Sequence, residues 1–344
     1  MGGPTGLDEG RVADWLEGAL GLRAPITATL IAGGRSNLTF RVEDAAGAVV
    51  ALRRPPVSHV LPTAHDMARE FRVLSGLFPL GVPVARPLAL CPDEAVTGAP
   101  FYVMEFVEGA ILRDRAGAMA AFDEPTRHAV GGHLAATLAG LHALSPEAAG
   151  LSDLARHDGY VERQLKRWRT QFEQTRVPEA DVENRVLEVA DRLGASVPPA
   201  QRVSVVHGDY RLDNTVLAPD GTVRAILDWE ICTLGDPLAD LGTLLCYWAE
   251  PGDPSAALLG VAPTTAPGFM TRDEVTRAYA SASDLDLSHV AYYQAFAYWR
   301  LACILQGVFA RYRAGATAGD AGSVEGFPAH VALLADLALA TLER

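Results

Sequence analysis

The chain has 344 residues, is 49% hydrophobic and carries a formal charge of −13. This is enough apolar material for one large domain or two lobes. Its acidity argues against a nucleic-acid partner, because such modules are usually basic. Cys91, Cys232, Cys246 and Cys303 are widely separated, with no Cys-x-x-Cys pair. Neither a zinc site nor a disulfide framework is suggested, and a reducing, cytoplasmic setting fits best. The N-terminus shows no charged-then-apolar targeting pattern.

In chain order, the first hundred residues read as a small β-rich lobe. Ile26 to Ile31 predicts a strand, residues 32–37 a Gly-Gly turn, and Leu38 to Val42 a returning strand. Val49 to Arg53 predicts a third strand, broken by Pro55-Pro56. A helix is expected from Thr63 to Leu77, with Met67, Phe71, Leu74 and Leu77 on one face. Phe101 to Phe106 reads as a buried strand that closes a lobe of residues 1–106.

Residues 107–344 read as a larger, mostly helical lobe, giving an α+β chain overall. Helices are expected over 126–144, 160–174, 178–193, 238–248, 273–282, 288–312 and 328–343. The apolar stretch Val290 to Ala310 contains Gln294, Arg300 and Gln306. An Arg near the centre of a membrane span is costly, so a buried helix is expected there and no membrane association. Residues 251–270 and 313–326 read as long loops, the first a candidate substrate lid.

The most informative run is Val205-Val206-His207-Gly208-Asp209-Tyr210-Arg211-Leu212-Asp213-Asn214, followed by Ile226-Leu227-Asp228-Trp229-Glu230. A strand ends in His-x-Asp, an Asn follows five positions on, and a second strand ends in another Asp. Kinase catalytic and metal-binding loops share this spacing. Phosphoryl transfer needs a base near the acceptor hydroxyl, a task that suits Asp209. It also needs oxygen ligands that hold magnesium against the phosphates, which suits Asn214 and Asp228. Singly, such residues usually cap turns; jointly, the spacing favours the chemistry.

The rest of the site follows from that reading. Gly33, Gly34, Arg35, Ser36 and Asn37 lie between two strands, where a nucleotide-covering loop belongs. Val50-Ala51-Leu52-Arg53 has the shape of the kinase Val-Ala-Ile-Lys strand with Arg in last place. Lys166 is the chain's single lysine and lies far along the sequence, so Arg53 is the candidate phosphate contact. Glu70 is the carboxylate expected to orient it. Arg54 should point to the opposite face of a regular strand. Backbone groups from Glu105 to Val107 would meet the base. Asp236 and Asp240 read as structural: a helix cap and a brace behind the catalytic loop.

These motifs resemble the aminoglycoside phosphotransferase family over about residues 25–310. His207-Gly208-Asp209, Asn214, Ile226-Leu227-Asp228 and Gly235-Asp236-Pro237-Leu238-Ala239-Asp240-Leu241 carry the likeness. The segments Leu52 to Pro56, Ala64 to Glu70 and Met104 to Gly109 resemble the branch fused to acyl-CoA dehydrogenases. The resemblance implies a two-lobed, protein-kinase-like fold that uses ATP and Mg2+ on a small-molecule hydroxyl acceptor. In that branch the acceptor is a hydroxyacyl-CoA, commonly a 4-hydroxy acid thioester. A nucleotide-binding pseudokinase regulator, or a kinase for another small alcohol or an aminoglycoside, is the alternative. Intact Asp209, Asn214 and Asp228 favour the enzyme. No Ala-Pro-Glu segment follows Asp228, which argues against a protein kinase. Tyr160, Gln164, Arg167 and Trp168, with Tyr293, Arg300 and Gln306, are candidate acceptor-lining residues. Arg163, Arg167, Arg169 or Arg300 would supply a basic patch for a thioester's phosphates.

Overall fold

The computed structural model describes residues 7–32, 37–56, 66–156, 158–175, 180–257, 262–314 and 326–344. Packing divides the chain into two compact units. One comprises Met1–Gly109, Ala149–Leu151 and Arg224–Glu230; the other comprises Ala110–Ala148, Ser152–Val223 and Ile231–Arg344.

The first unit opens with a helix that periodicity alone did not bring out, α1 (Glu9–Leu20). The Asp8 side chain caps it by accepting from Gly10 N and Arg11 N, and Gly21 ends it at φ 71°. Strands β1 (Thr27–Ala32), β2 (Leu38–Glu43) and β3 (Val49–Arg54) follow, then helix α2 (Met67–Leu77). Strand β4 (Pro87–Cys91), the short helix α3 (Glu94–Thr97) and strand β5 (Phe101–Glu105) complete the run. The antiparallel sheet has the order β1-β2-β3-β5-β4. Val12 and Leu16 of α1 pack with Phe40, Leu52, Phe101 and Val103 in its core.

Helix α2 buries Met67, Val73, Leu74 and Leu77 together with one acid, Glu70. Phe71 lies on the flank of that face and is only half-buried. Both arginines of β3 are buried, Arg53 at 8% and Arg54 at 4% exposure. Arg54 does turn away from the Arg53 cluster, but not to solvent. It donates to the Thr97 carbonyl at 2.7 Å and the Pro55 carbonyl at 3.1 Å. The segment Arg224–Glu230 joins this unit through a parallel bridge between Val84 and Ile226. Ile226 N donates to the Pro83 carbonyl at 2.7 Å.

The second unit is mainly helical: α4 (Arg115–Ala121), α5 (Glu124–Ala143), α6 (Tyr160–Gln174) and α7 (Ala180–Ala195). Short strands β6 (Ser204–Val206), β7 (Thr215–Leu217) and β9 (Thr233–Gly235) come next, while β8 (Val223–Ile226), between β7 and β9 in the chain, belongs to the first unit from Arg224 on. Helices α8 (Leu238–Tyr247), α9 (Arg272–Ala282), α10 (Val290–Arg313) and α11 (Phe327–Leu342) finish the chain. Strand β6 pairs antiparallel with β9, which brings Val205 opposite Leu234. Helix α10 packs against α6, α7, α8 and α11 and buries residues around its whole circumference, as its unbroken apolarity requires. Among the described residues, no helix is long and apolar enough to cross a membrane.

The described parts of 251–270 are tied to their surroundings by hydrogen bonds. Thr264 Oγ1 donates to the Ala249 carbonyl at 2.8 Å, and Arg127 Nε donates to the Pro267 carbonyl at 2.6 Å. Trp248 Nε1 reaches the Met270 carbonyl at 2.8 Å. Residues 258–261 lie outside the described residues.

Candidate functional site

Each unit carries one cluster of the expected residues. In the first, antiparallel pairing of β2 with β3 sets Thr39 opposite Arg53, and pairing with β5 sets Tyr102 opposite Arg53 on its other side. Arg53 Nε pairs with Glu70 Oε2 at 2.9 Å, and Nη1 donates to Thr39 Oγ1 at 3.2 Å. Its Nη2 pairs with Asp228 Oδ1 at 2.5 Å. One planar fork therefore holds two carboxylates and a hydroxyl, which an ammonium on a flexible stem does not do in the same way. Burial works against the Arg53 charge, but Glu70, Tyr102 and Asp228 outweigh it and hold the group more firmly cationic than usual. Burial pushes the Glu70 carboxyl up, while Arg53 draws it back down in part. The Tyr102 hydroxyl donates to Glu70 at 3.1 Å.

Asp228 stands at φ 64°, the one non-glycine residue with a positive φ among the described residues. That conformation is strained for an L-residue and is typical of functional turns. Asn37 faces the same cluster and gives its amide to Glu70 at 2.6 Å and Glu230 at 3.3 Å. Its Oδ1 is buried with no hydrogen-bond partner among the described residues. The other expected nucleotide-covering residues, Gly33, Gly34, Arg35 and Ser36, lie outside the described residues. Glu105 and Val107 line a groove of 620 Å³ with Phe78, Val82, Phe106 and Arg224. The Glu105 N–H is committed to the Arg86 carbonyl at 2.8 Å.

In the second unit the loop after β6 is held from below. Asp240, on the first turn of α8 and fully buried, accepts from His207 N at 2.6 Å and Gly208 N at 2.8 Å. His142 lies 3.4 Å from the same carboxylate and 2.7 Å from the Tyr279 hydroxyl. Burial opposes the Asp240 charge, but the His142 hydrogen bond, the neighbouring imidazoles and Gly208 N together keep its carboxyl below the ordinary range. The expected brace is therefore present. Asp236 likewise accepts from Leu238 N at 3.0 Å at the start of α8.

Above that support sits Asp209, following Gly208 at φ 87°. Asn214 Nδ2 donates to its Oδ2 at 2.9 Å and to its backbone carbonyl at 2.9 Å. Arg211 Nε lies 3.2 Å from the same Oδ2 and 3.2 Å from Asp213. Arg211 also stacks over the Tyr247 ring at 4.7 Å. The other Asp209 oxygen, Oδ1, has no hydrogen bond among the described residues. Asp209 lines a 320 Å³ pocket together with Tyr160, Gln164, Arg167, Trp168 and Arg300.

Five of the seven expected acceptor-lining residues thus meet at one pocket. Tyr293 and Gln306 do not: Tyr293 donates to Asp236 at 2.6 Å, and Gln306 donates to the Thr175 carbonyl at 3.0 Å. Of the expected basic patch, Arg167 and Arg300 line the pocket. Arg163 turns to the Arg156 carbonyl, and Arg169 pairs with Glu173 and Asp191. Sequence reasoning passed over Thr39, Tyr102, Glu230 and Arg211. Cross-strand register would have found the first two. The other two lie two residues beyond Asp228 and Asp209.

The model of the phosphotransferase enzyme family matches residues 27–266. The chain is 32% identical to mouse acyl-CoA dehydrogenase family member 10 over 90% of its own length and 29% of that protein's. It is 34% identical to rat acyl-CoA dehydrogenase family member 11 over 85% of its length and 37% of that protein's. The chain therefore spans about a third of these relatives. Among solved structures it resembles a candidate aminoglycoside phosphotransferase from Ralstonia eutropha, with TM-score 0.78, 28% identity, and coverage of 97% of this chain and 98% of that one. A similar fold occurs in the amicoumacin kinase hAmiN, solved in complex with AMP-PNP, Ca2+ and Ami, at TM-score 0.59 and 18% identity over 94% and 93% of the two chains.

Proposed function

The chain belongs to the phosphotransferase enzyme family, and from that premise we propose that it transfers the γ-phosphoryl group of ATP to the hydroxyl of a small molecule. One observation carries this reading. Asp209 has one carboxylate oxygen fixed by Asn214 and Arg211 while the other is left open at a pocket. That is the arrangement a general base needs: a fixed orientation and one free lone-pair site.

In this reading the acceptor hydroxyl donates to Asp209 as its oxygen attacks the γ-phosphorus. The bond from that phosphorus to the β,γ-bridging oxygen breaks. A phosphomonoester and ADP result, and the proton leaves by way of Asp209. Arg53, held by Glu70, contacts the phosphates, and residues 33–37 and the backbone at 105–107 cover the nucleotide. Asn214 and Asp228 would supply oxygen ligands to Mg2+. The residues fit that ion: Mg2+ takes one or two carboxylates and fills its shell with phosphates and water. The bound ion would neutralise charge on the phosphates.

For the acceptor, the reading we favour is a hydroxyacyl-CoA. Support comes from the relatives named for acyl-CoA dehydrogenases and from a pocket that combines Arg167 and Arg300 with apolar walls. The test is an ADP-formation screen with Mg2+ and ATP against 4-hydroxyacyl-CoAs, free hydroxy acids, amino alcohols and aminoglycosides, with products identified by mass spectrometry. A hydroxyl-dependent phosphomonoester is expected, formed most efficiently from the thioester. Equal use of the free acid or an aminoglycoside would remove the CoA reading. Nucleotide binding without any transfer would favour a regulator.

A further inference from the structure

Arg300 is 8% exposed, lines the pocket beside Asp209, and pairs with no carboxylate among the described residues. Its Nη2 donates to the Gly208 carbonyl at 2.8 Å and to Thr243 Oγ1 at 3.0 Å. Its Nε and Nη1 have no hydrogen bond among the described residues. Two buried carboxylates, one just before helix α8 and one in its first turn, are occupied by other donors. Asp236 accepts from Tyr293 and Leu238. Asp240 accepts from His207 and Gly208 and faces His142. A buried guanidinium without a counter-charge is costly, and its remaining donors form a fork suited to an oxyanion.

The charge inventory of the pocket points the same way. Its lining holds two arginines, Arg167 and Arg300, against one carboxylate, Asp209. This local excess of positive charge stands out in a chain of net charge −13. Much of the remaining wall is apolar, including Ile231, Leu301 and Ile304. Ile231, 52% exposed, lies against Gly208 at this wall. A polyammonium ligand such as an aminoglycoside would meet two like charges here.

Resting on the phosphotransferase reading, we propose that Arg300 is the anion receptor of the acceptor pocket, so that the acceptor joins a hydroxyl, an apolar segment and an anionic oxygen group. Arg300 then has two tasks. It ties the Gly208 carbonyl, which positions the loop that carries Asp209, and it selects the acceptor by charge. The anionic oxygens belong either to a free carboxylate or to the phosphates of a coenzyme A thioester.

The test compares four probes in wild type, Arg300→Met and Arg300→Lys. They are 4-hydroxypentanoate, its coenzyme A thioester, its uncharged pantetheine thioester, and pentane-1,4-diol. Turnover is followed as ADP release, and binding by calorimetry in the presence of ADP and Mg2+. Wild type should prefer an anionic probe over its neutral counterpart by about 10-fold or more in kcat/KM, the scale of a charged hydrogen bond. Arg300→Met should erase that preference by raising KM for the anionic probe, and Arg300→Lys should restore part of it. A preference for free acid over diol assigns the site to a carboxylate. A preference confined to the coenzyme A thioester over the pantetheine thioester assigns it to phosphate. An equal fall in kcat for anionic and neutral probes in Arg300→Met would reduce Arg300 to a loop support and overturn the proposal. So would equal binding of anionic and neutral probes by wild type, or no binding of any anionic probe. If an anionic probe binds wild type but not Arg300→Met, and nothing is phosphorylated, the receptor stands and the phosphotransferase reading fails.

Discussion

At the scale of single residues, the proposed chemistry divides between Asp209 and Arg53. Asp209 lines the pocket, and its Oδ2 is held by Asn214 and Arg211. Asp209→Asn keeps the shape and most hydrogen-bonding capacity but removes the base. Turnover should fall by roughly 10²-fold or more, the usual scale for a lost general base. Nucleotide affinity, measured by calorimetry, should stay near wild type; retained turnover would exclude this role. Arg53 stands where lysine is the common residue, and its fork engages Glu70, Thr39 and Asp228 at once. Lysine cannot reproduce those three contacts with one nitrogen. Arg53→Lys should therefore weaken ATP use by roughly 10-fold in kcat/KM, on the scale of one or two charged hydrogen bonds. A wild-type value would show that only charge matters at this position. Both positions were legible in the sequence because each rests on a contiguous motif with fixed spacing, and the structure sets Arg53 against Glu70 and Asp228 and Asp209 against Asn214. Glu230 and Arg211 were not, because nothing in their immediate spacing separates a site residue from a solvated loop.

At the scale of elements, the catalytic loop depends on helix α8 and its contact with α10. Asp240 ties the loop to α8 through His207 N and Gly208 N. An amide there keeps one acceptor oxygen and leaves a buried N–H without a partner, so Asp240→Asn should cost roughly 1–3 kcal/mol. The sign with pH follows from its depressed folded value. The stabilisation is complete above the ordinary Asp value of 3.8 and is lost as pH falls through the lower folded value. Urea denaturation should therefore show a constant gap between variant and wild type from neutral pH down to about pH 4, shrinking below it. A gap that closes while pH is still well above 4 would contradict the depressed carboxyl. Gly242 tests the helix contact itself: an added Cβ would sit 2.3 Å from the Tyr293 carbonyl oxygen. Gly242→Ala must push two packed helices apart and should destabilise by roughly 1–3 kcal/mol, the range for overpacking. A neutral or stabilised melting curve would show that this contact yields.

At the scale of the whole molecule, the long periodic helices were the most legible part of the sequence, and α6 begins and ends where the pattern placed it. The face of α6 with Tyr160, Gln164, Arg167 and Trp168 was readable from helical spacing and lines the pocket. Helix α10 was readable as buried, but a helix apolar all round gives no sign of which face meets which neighbour. Hence Arg300 reaches the pocket while Tyr293 and Gln306 are spent on Asp236 and Thr175. Helix α1 and strand β4 escaped because each is short and its pattern weak; the first four residues of β4 are only half-buried. The last prediction uses the stability of the intact chain as its readout. A ligand that binds only the folded state stabilises by about 2.7 kcal/mol at 100 times its Kd. Mg2+ with ATP at such excess should raise the melting temperature by several degrees, since about 1 kcal/mol moves a chain of 150–250 residues by roughly 2–4 °C. ATP with a chelator should give a much smaller rise if, as proposed, Asp228 helps hold an ion against the phosphates. In Asp228→Ala the rise with Mg2+ and ATP should fall to the chelator level. If that variant keeps the full magnesium-dependent shift, Asp228 is not a metal ligand, and its close pair with Arg53 is only a structural tie.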